Sequence, residues 1–110
     1  MDLLSKKCIP CEGNVKPFTL GQINEYKLQI SNEWLIVEDK NIFRIKKRFK
    51  FADFKAAIGF VNKVAALAES EGHHPNIFVF YNRVDIELYT HVIKGLHEND
   101  FIMAAKIDNI

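Results

Sequence analysis

Glu69-Ser70-Glu71-Gly72-His73-His74-Pro75-Asn76-Ile77-Phe78-Val79-Phe80-Tyr81 holds the change from helical to extended periodicity that decides this fold. Before it, from about Asp53 to Glu71, Phe54, Ile58, Val61, Ala65 and Ala68 recur at helical spacing, and Phe60, Val64 and Leu67 widen the apolar stripe. Gly72 suits the left-handed conformation that ends a helix. Pro75 restricts His74 to an extended backbone. Residues 77–81 are apolar throughout, which predicts a strand covered on both faces. Asn82-Arg83 reads as a tight turn. Val84, Ile86 and Leu88 then alternate with Asp85 and Glu87, which predicts the second strand of an antiparallel hairpin, the first set inward and the second outward.

The same signals recur on either side. Thr19 and Gln22 form a capping box, with Phe18 and Ile23 at the staple positions. Ile23, Tyr26 and Ile30 line one face of a helix expected to end near Ser31-Asn32. Trp34 to Glu38 read as a strand, Asp39-Lys40-Asn41 as a turn and Ile42 to Lys50 as a second strand. On that strand Phe43, Ile45 and Phe49 share one side, and Arg44, Lys46, Arg48 and Lys50 the other. A basic row of this kind binds phosphate or an acidic partner, or is a solvated face or charge-protected edge strand. The second pair of readings is expected here. A last helix spans about Glu98 to Asp108, with Glu98 and Asp100 suited to its dipole and Phe101, Ala104, Ala105 and Ile107 on its apolar face. The order α-β-β-α-β-β-α predicts an α+β fold, a four-stranded antiparallel sheet covered by helices on one face. Residues 1–17, punctuated by Pro10, Gly13, Asn14 and Pro17, read as an extended N-terminal arm, and residues 18–110 as a single domain.

Composition narrows the function classes. The 110 residues are 48% hydrophobic, enough for one core, and nine phenylalanines leave room for an apolar patch facing a partner subunit. Fifteen basic and 14 acidic residues give a net charge of +1, which argues against a nucleic-acid binder. No apolar run approaches the roughly 20 residues of a membrane-spanning helix. The N-terminus lacks a signal peptide's apolar segment, so the expected location is the cytoplasm. Cys8 and Cys11 form a Cys-Ile-Pro-Cys pair. A redox pair belongs near a βαβ unit and a structural zinc needs four ligands. Neither condition is met, so two reduced thiols are expected.

Three of the four histidines, His73, His74 and His91, fall around the predicted hairpin. Neighbouring side chains on an extended segment point to opposite sides, so His73 and His74 have different tasks. If residues 84–89 pair with residues 77–81, the far end of the second strand brings His91 back to His73 and His74. Such a cluster serves acid–base catalysis, binds a metal, or is structural. Metal binding lacks an HExxH helix, and convergence of three histidines disfavours the structural reading. Acid–base chemistry is therefore expected, with no metal. His97, near the start of the last helix, is assigned no role.

The pattern Glu69, His73-His74-Pro75, Tyr81, His91, Asp100 resembles that of the pterin-4a-carbinolamine dehydratases, whose vertebrate members also act as a dimerisation cofactor of a homeodomain transcription factor. Thr19, Trp34 and Phe49-x-Phe51-x-Asp53-Phe54 extend the resemblance to about residues 17–108. The arm Lys6-Lys7-Cys8-Ile9-Pro10-Cys11-Glu12-Gly13 resembles bacterial members. Gly72 departs from the pattern, standing where some relatives carry an acidic residue before the histidine pair.

The resemblance implies a hydro-lyase. It would eliminate water from a 4a-hydroxytetrahydropterin, released by an aromatic amino-acid hydroxylase, to give the quinonoid dihydropterin for recycling. It implies no metal or organic cofactor, the pterin being the substrate. His73, His74 and His91 would be catalytic, His73 and His91 moving protons and His74 positioning the ring. Glu69, Pro75, Thr90 and Asp100 would bind or orient the substrate, Asp100 being equally suited to cap the last helix, and Tyr81 would be a packed wall. A homodimer or homotetramer is implied, with a functional link to a hydroxylase. The competing reading is a non-catalytic protein-binding or regulatory module of the same fold.

Overall fold

In the computed structural model, which describes residues 2–10 and 13–110, helix α1 spans Leu20–Lys27 and opens at the Thr19 cap. The Thr19 hydroxyl accepts from the Gln22 amide at 3.3 Å, and the Gln22 side chain accepts from the Thr19 amide at 2.9 Å. The helix ends earlier than its apolar spacing suggests. Leu28, Gln29 and Ile30 donate to the carbonyls three residues back, so the last turn tightens and unwinds before Trp34.

Strands β1 (Leu35–Asp39) and β2 (Ile42–Lys50) form a hairpin whose turn residues Lys40 and Asn41 have φ of 54° and 65°. Positive φ at both positions matches the twist of the strands they join. Helix α2 (Phe54–Glu71) starts at Asp53, whose side chain accepts from the Ala56 amide at 2.8 Å. Strands β3 (Asn76–Phe80) and β4 (Arg83–Leu88) form the second hairpin, and α3 (Glu98–Asp108) closes the fold. Short 3-10 turns at Leu3–Ser5 and His91–Ile93 complete the elements. No described helix is long and apolar enough to cross a membrane.

The antiparallel sheet has the order β1-β2-β4-β3, with Ile45 opposite Leu88 at its centre and Ile77 opposite Ile86 towards the edge. Helices cover one face. There Trp34, Ile45, Val64, Ile86, Leu88 and Phe101 are fully buried, each contributing about 1.5–3 kcal/mol by leaving water.

Three expectations change. β3 is an edge strand, and Phe78, Val79 and Phe80 are 40%, 37% and 49% exposed, because none of the described elements covers its outer side. β2 is central, so of the two readings of its basic row the protected edge falls and the solvated face stands, the cations lying on the open face of the sheet. Asp85 points to that open face yet is only 3% exposed, because Arg48 (3.1 Å) and Arg83 (3.6 Å) lie over it. The expectation for Cys11, and so for the Cys8–Cys11 pair, lies outside the described residues.

Gly72 ends α2 with φ of 68°, its amide donating to the Ala68 carbonyl at 2.9 Å. A Cβ placed there meets nothing within 4 Å, so a substitution is opposed by conformation alone. Gly72→Ala is expected to cost about 1 kcal/mol, seen as a lower urea midpoint at unchanged m-value; an unchanged midpoint would refute this account of the cap.

Candidate active site

His73 follows the αL residue Gly72 at once, which turns the chain off the end of α2, and its own amide still donates to the Ala68 carbonyl at 3.3 Å. Pro75 then leads into β3. Thr90 and His91 leave the end of β4, where Thr90 and Gly95 bridge across a small loop through hydrogen bonds of 2.8 and 3.4 Å. The β3–β4 hairpin therefore brings both segments to the same end of the sheet. Gly72, His73, His74, Thr90, His91 and Val92 line one open cleft of about 260 Å³. This volume is close to the lower bound of about 300 Å³ for small-molecule clefts.

The three histidines have different surroundings. The His73 side chain is 11% exposed, and its Nε2–H donates to Asp100 Oδ1 at 2.7 Å. Asp100 is completely buried. Its Oδ2 also accepts from the Thr90 hydroxyl at 2.8 Å and from the His97 amide at 3.0 Å. One carboxylate thus caps α3, fixes a wall of the cleft and sets the tautomer of His73, leaving His73 Nδ1 to exchange a proton. The His74 side chain is 62% exposed, and its Nε2–H donates to Glu69, itself 77% exposed. His91 is exposed, with its ring 4.2 Å from that of Tyr89.

Of the residues expected at the site, His73, His74, His91 and Thr90 line the cleft. Glu69 backs His74, and Asp100 stands one layer behind His73 with no exposed surface. Pro75 lies outside the cleft's lining, at the entry to β3. Tyr81 is not a wall of the cleft. It occupies the β3–β4 turn at the far end of the hairpin, 68% exposed with φ of 53°. The aromatic ring that does meet a site histidine is Tyr89, whose other neighbour is the Arg44 guanidinium, 4.5 Å from the ring centroid. Alternation alone places Arg44 and Tyr89 on the open face, but their pairing depends on strand order. Among the described residues, no group of three His, Cys, Asp or Glu is arranged to hold a metal ion.

A second buried carboxylate adjoins the site. Glu71 accepts from the Cys8 amide at 2.8 Å and the Lys106 ammonium at 2.9 Å. Burial on its own would raise its pKa; the Cys8 amide, Lys106 and Lys7 outweigh that and hold it below the ordinary 4.5. A depressed carboxyl stabilises the fold above its unfolded value and loses that contribution as pH falls through the folded value. The stability advantage over Glu71→Gln is therefore expected to be complete at neutral pH and to shrink below pH 4.5. Urea unfolding of both proteins across that range tests it, and an advantage that grows on acidification refutes it.

The chain is similar to known proteins. A family profile described as Pterin 4 alpha carbinolamine dehydratase matches residues 16–110. A Rickettsia bellii relative, named provisionally as a pterin-4-alpha-carbinolamine dehydratase, is 46% identical over 106 residues, 96% of this chain and 91% of its own. The crystal structure of a transcriptional coactivator/pterin dehydratase from Brucella melitensis superposes with a TM-score of 0.76 at 37% identity, covering 86% of this chain and 97% of that one. A pterin dehydratase-like protein described as a RuBisCO assembly factor in the alpha-carboxysome aligns with a TM-score of 0.60 at 28% identity, over 70% of this chain and 87% of its own. With the profile spanning residues 16–110 and the fold shared over 86% of the chain, this chain belongs to the pterin-4-alpha-carbinolamine dehydratase family.

Proposed function

We propose that this chain eliminates water from a 4a-hydroxytetrahydropterin to give the quinonoid dihydropterin, and so returns a hydroxylase's pterin to its reductive cycle. The observation that carries this reading is the cleft where His73, His74 and His91 meet, with His73 held by a buried carboxylate. Hydroxide leaves a carbon only with a proton, and the N5 proton must depart for the C=N bond to form. Imidazoles supply both transfers near neutral pH. His73 and His91 carry the two protons, and His74, steadied by Glu69, positions the ring. Thr90 lines the cleft, Pro75 orients His74, and Asp100 acts through His73. No metal or organic cofactor is required by this chemistry.

The chain works as a homodimer or homotetramer. The exposed apolar edge of β3 supports this, since bare strand edges carrying Phe78 and Phe80 are ordinarily covered. A protein-binding role is the second reading, favoured by the coactivator and assembly-factor descriptions of two structural relatives. Dehydration of a synthetic 4a-hydroxytetrahydropterin, followed with and without purified protein, separates them. Acceleration supports the enzyme. Its absence with folded protein overturns the proposal and leaves the binding module.

A further inference from the structure

The N-terminal arm is fastened by side chains that the acid–base chemistry does not use. The Ile9 amide donates to Asn99 Oδ1 at 3.1 Å, and Asn99 Nδ2 donates to the Ile9 carbonyl at 2.6 Å. The Asn99 carboxamide thus pairs with the arm as a neighbouring strand would. One residue earlier, the Cys8 amide donates to Glu71 Oε1. Lys6 reaches Glu98 at 2.9 Å and Lys7 reaches the Ser70 carbonyl at 3.0 Å. Residues 6–9 are therefore tied both to the end of α2 and to the start of α3. Those two ends carry His73 and Asp100.

Cys8 and Asn99 are each 6% exposed, while the Ile9 side chain points to solvent at 70%. Farther on, a Cβ added at Gly13 would lie 3.2 Å from Val92, and one added at Gly95 would meet Pro17 at 2.6 Å. The Phe18 amide donates to the Leu96 carbonyl at 2.8 Å. At these points the arm meets the loop that holds Thr90 and His91. A hydrogen bond such as His73–Asp100 weakens over a few tenths of an ångström, so the separation of the two helix ends must be held.

We propose that Asn99 and Glu71 are positioning residues: by clasping the main chain at Cys8 and Ile9 they fix the end of α2 against the start of α3, and with it the His73–Asp100 pair. The kinetic consequence rests on the dehydratase reading; the geometric one does not.

The test uses the full chain with Cys11→Ser, so that Cys8 is its one thiol. Burial first, then the Glu71 charge, pushes the Cys8 thiol up to about 12, so alkylation by iodoacetamide at neutral pH reports release of the arm. The ring N–H resonance of His73, in histidine-labelled protein, reports its bond to Asp100. Asn99→Ala is expected to speed alkylation about tenfold, to abolish exchange protection of the His73 ring proton, and to lower kcat about tenfold with KM nearly unchanged. Val64→Ala, a core truncation away from the arm, is expected to lower stability with none of these effects. If Asn99→Ala does not fold, Asn99→Ser, which removes the carboxamide pair with Ile9 while keeping a small uncharged polar side chain, is read in the same way. Faster alkylation with an unchanged His73 resonance overturns the proposal, as does a Val64→Ala protein that reproduces the whole pattern. A parent protein without dehydratase activity sinks the proposed reaction, while the alkylation and resonance readouts still decide the clasp.

Discussion

His73→Ala and His91→Ala are each expected to lower kcat for pterin dehydration by about 100- to 10,000-fold, the range over which one positioned acid or base acts. His73 precedes β3 and His91 follows β4, so the two rings reach one cleft from separate segments of the chain. If they serve one elimination, the double variant loses far less than the product of the two single effects. His74→Ala is expected to raise KM more than it lowers kcat, since His74 is the more exposed ring and its partner Glu69 lies at the surface. Steady-state rates for the four proteins decide. A His73→Ala enzyme with undiminished kcat removes His73 from the chemistry, whatever its place in the cleft.

Asp100→Ala is expected to be the most destabilising single change near the site, by about 3–5 kcal/mol, the usual result of deleting one partner of a buried polar or charged cluster. It strands the His73 ring, the Thr90 hydroxyl and the His97 amide at once. Asp100→Asn keeps the shape but has one acceptor oxygen for three donors. It is expected to fold, and to lose about 10- to 100-fold in kcat because the tautomer and orientation of His73 are no longer set. Chemical denaturation and steady-state rates on both variants separate the structural from the catalytic contribution. An Asp100→Asn protein with full kcat would show that Asp100 serves the helix start alone.

Local signals made much of the fold legible. Thr19 with Gln22, Asp53 and Gly72 mark helix ends by contacts within a few residues, and they appear where the sequence places them. Convergence of the histidines was readable because it needs only one hairpin. What escaped depends on distant partners. The exposure of β3 follows from strand order, which apolar content does not encode. The concealment of Asp85 requires Arg48 and Arg83 from two strands. The docking of the arm rests on Asn99 and Glu71 bonding to its main chain, and such contacts leave no periodicity in residues 2–10. Tyr89 against His91 was hidden for the same reason, while Tyr81 drew attention only by its place in a motif.

The two central strands are strangers along the chain. Pairing β2 with β4 sets Lys50 beside Arg83, and α2 and β3 must be threaded between them before that seam forms. Closing so long a loop costs entropy that local contacts do not repay in advance, and chains rich in such pairings cross their folding barrier slowly. The β3–β4 hairpin needs no such closure. During folding, the peptide that holds His73, His74 and His91 can therefore bend back on itself early. Asp100 lies 27 residues beyond His73, so the buried pair they form has to wait for α3 to pack, after the histidine-bearing hairpin has already turned.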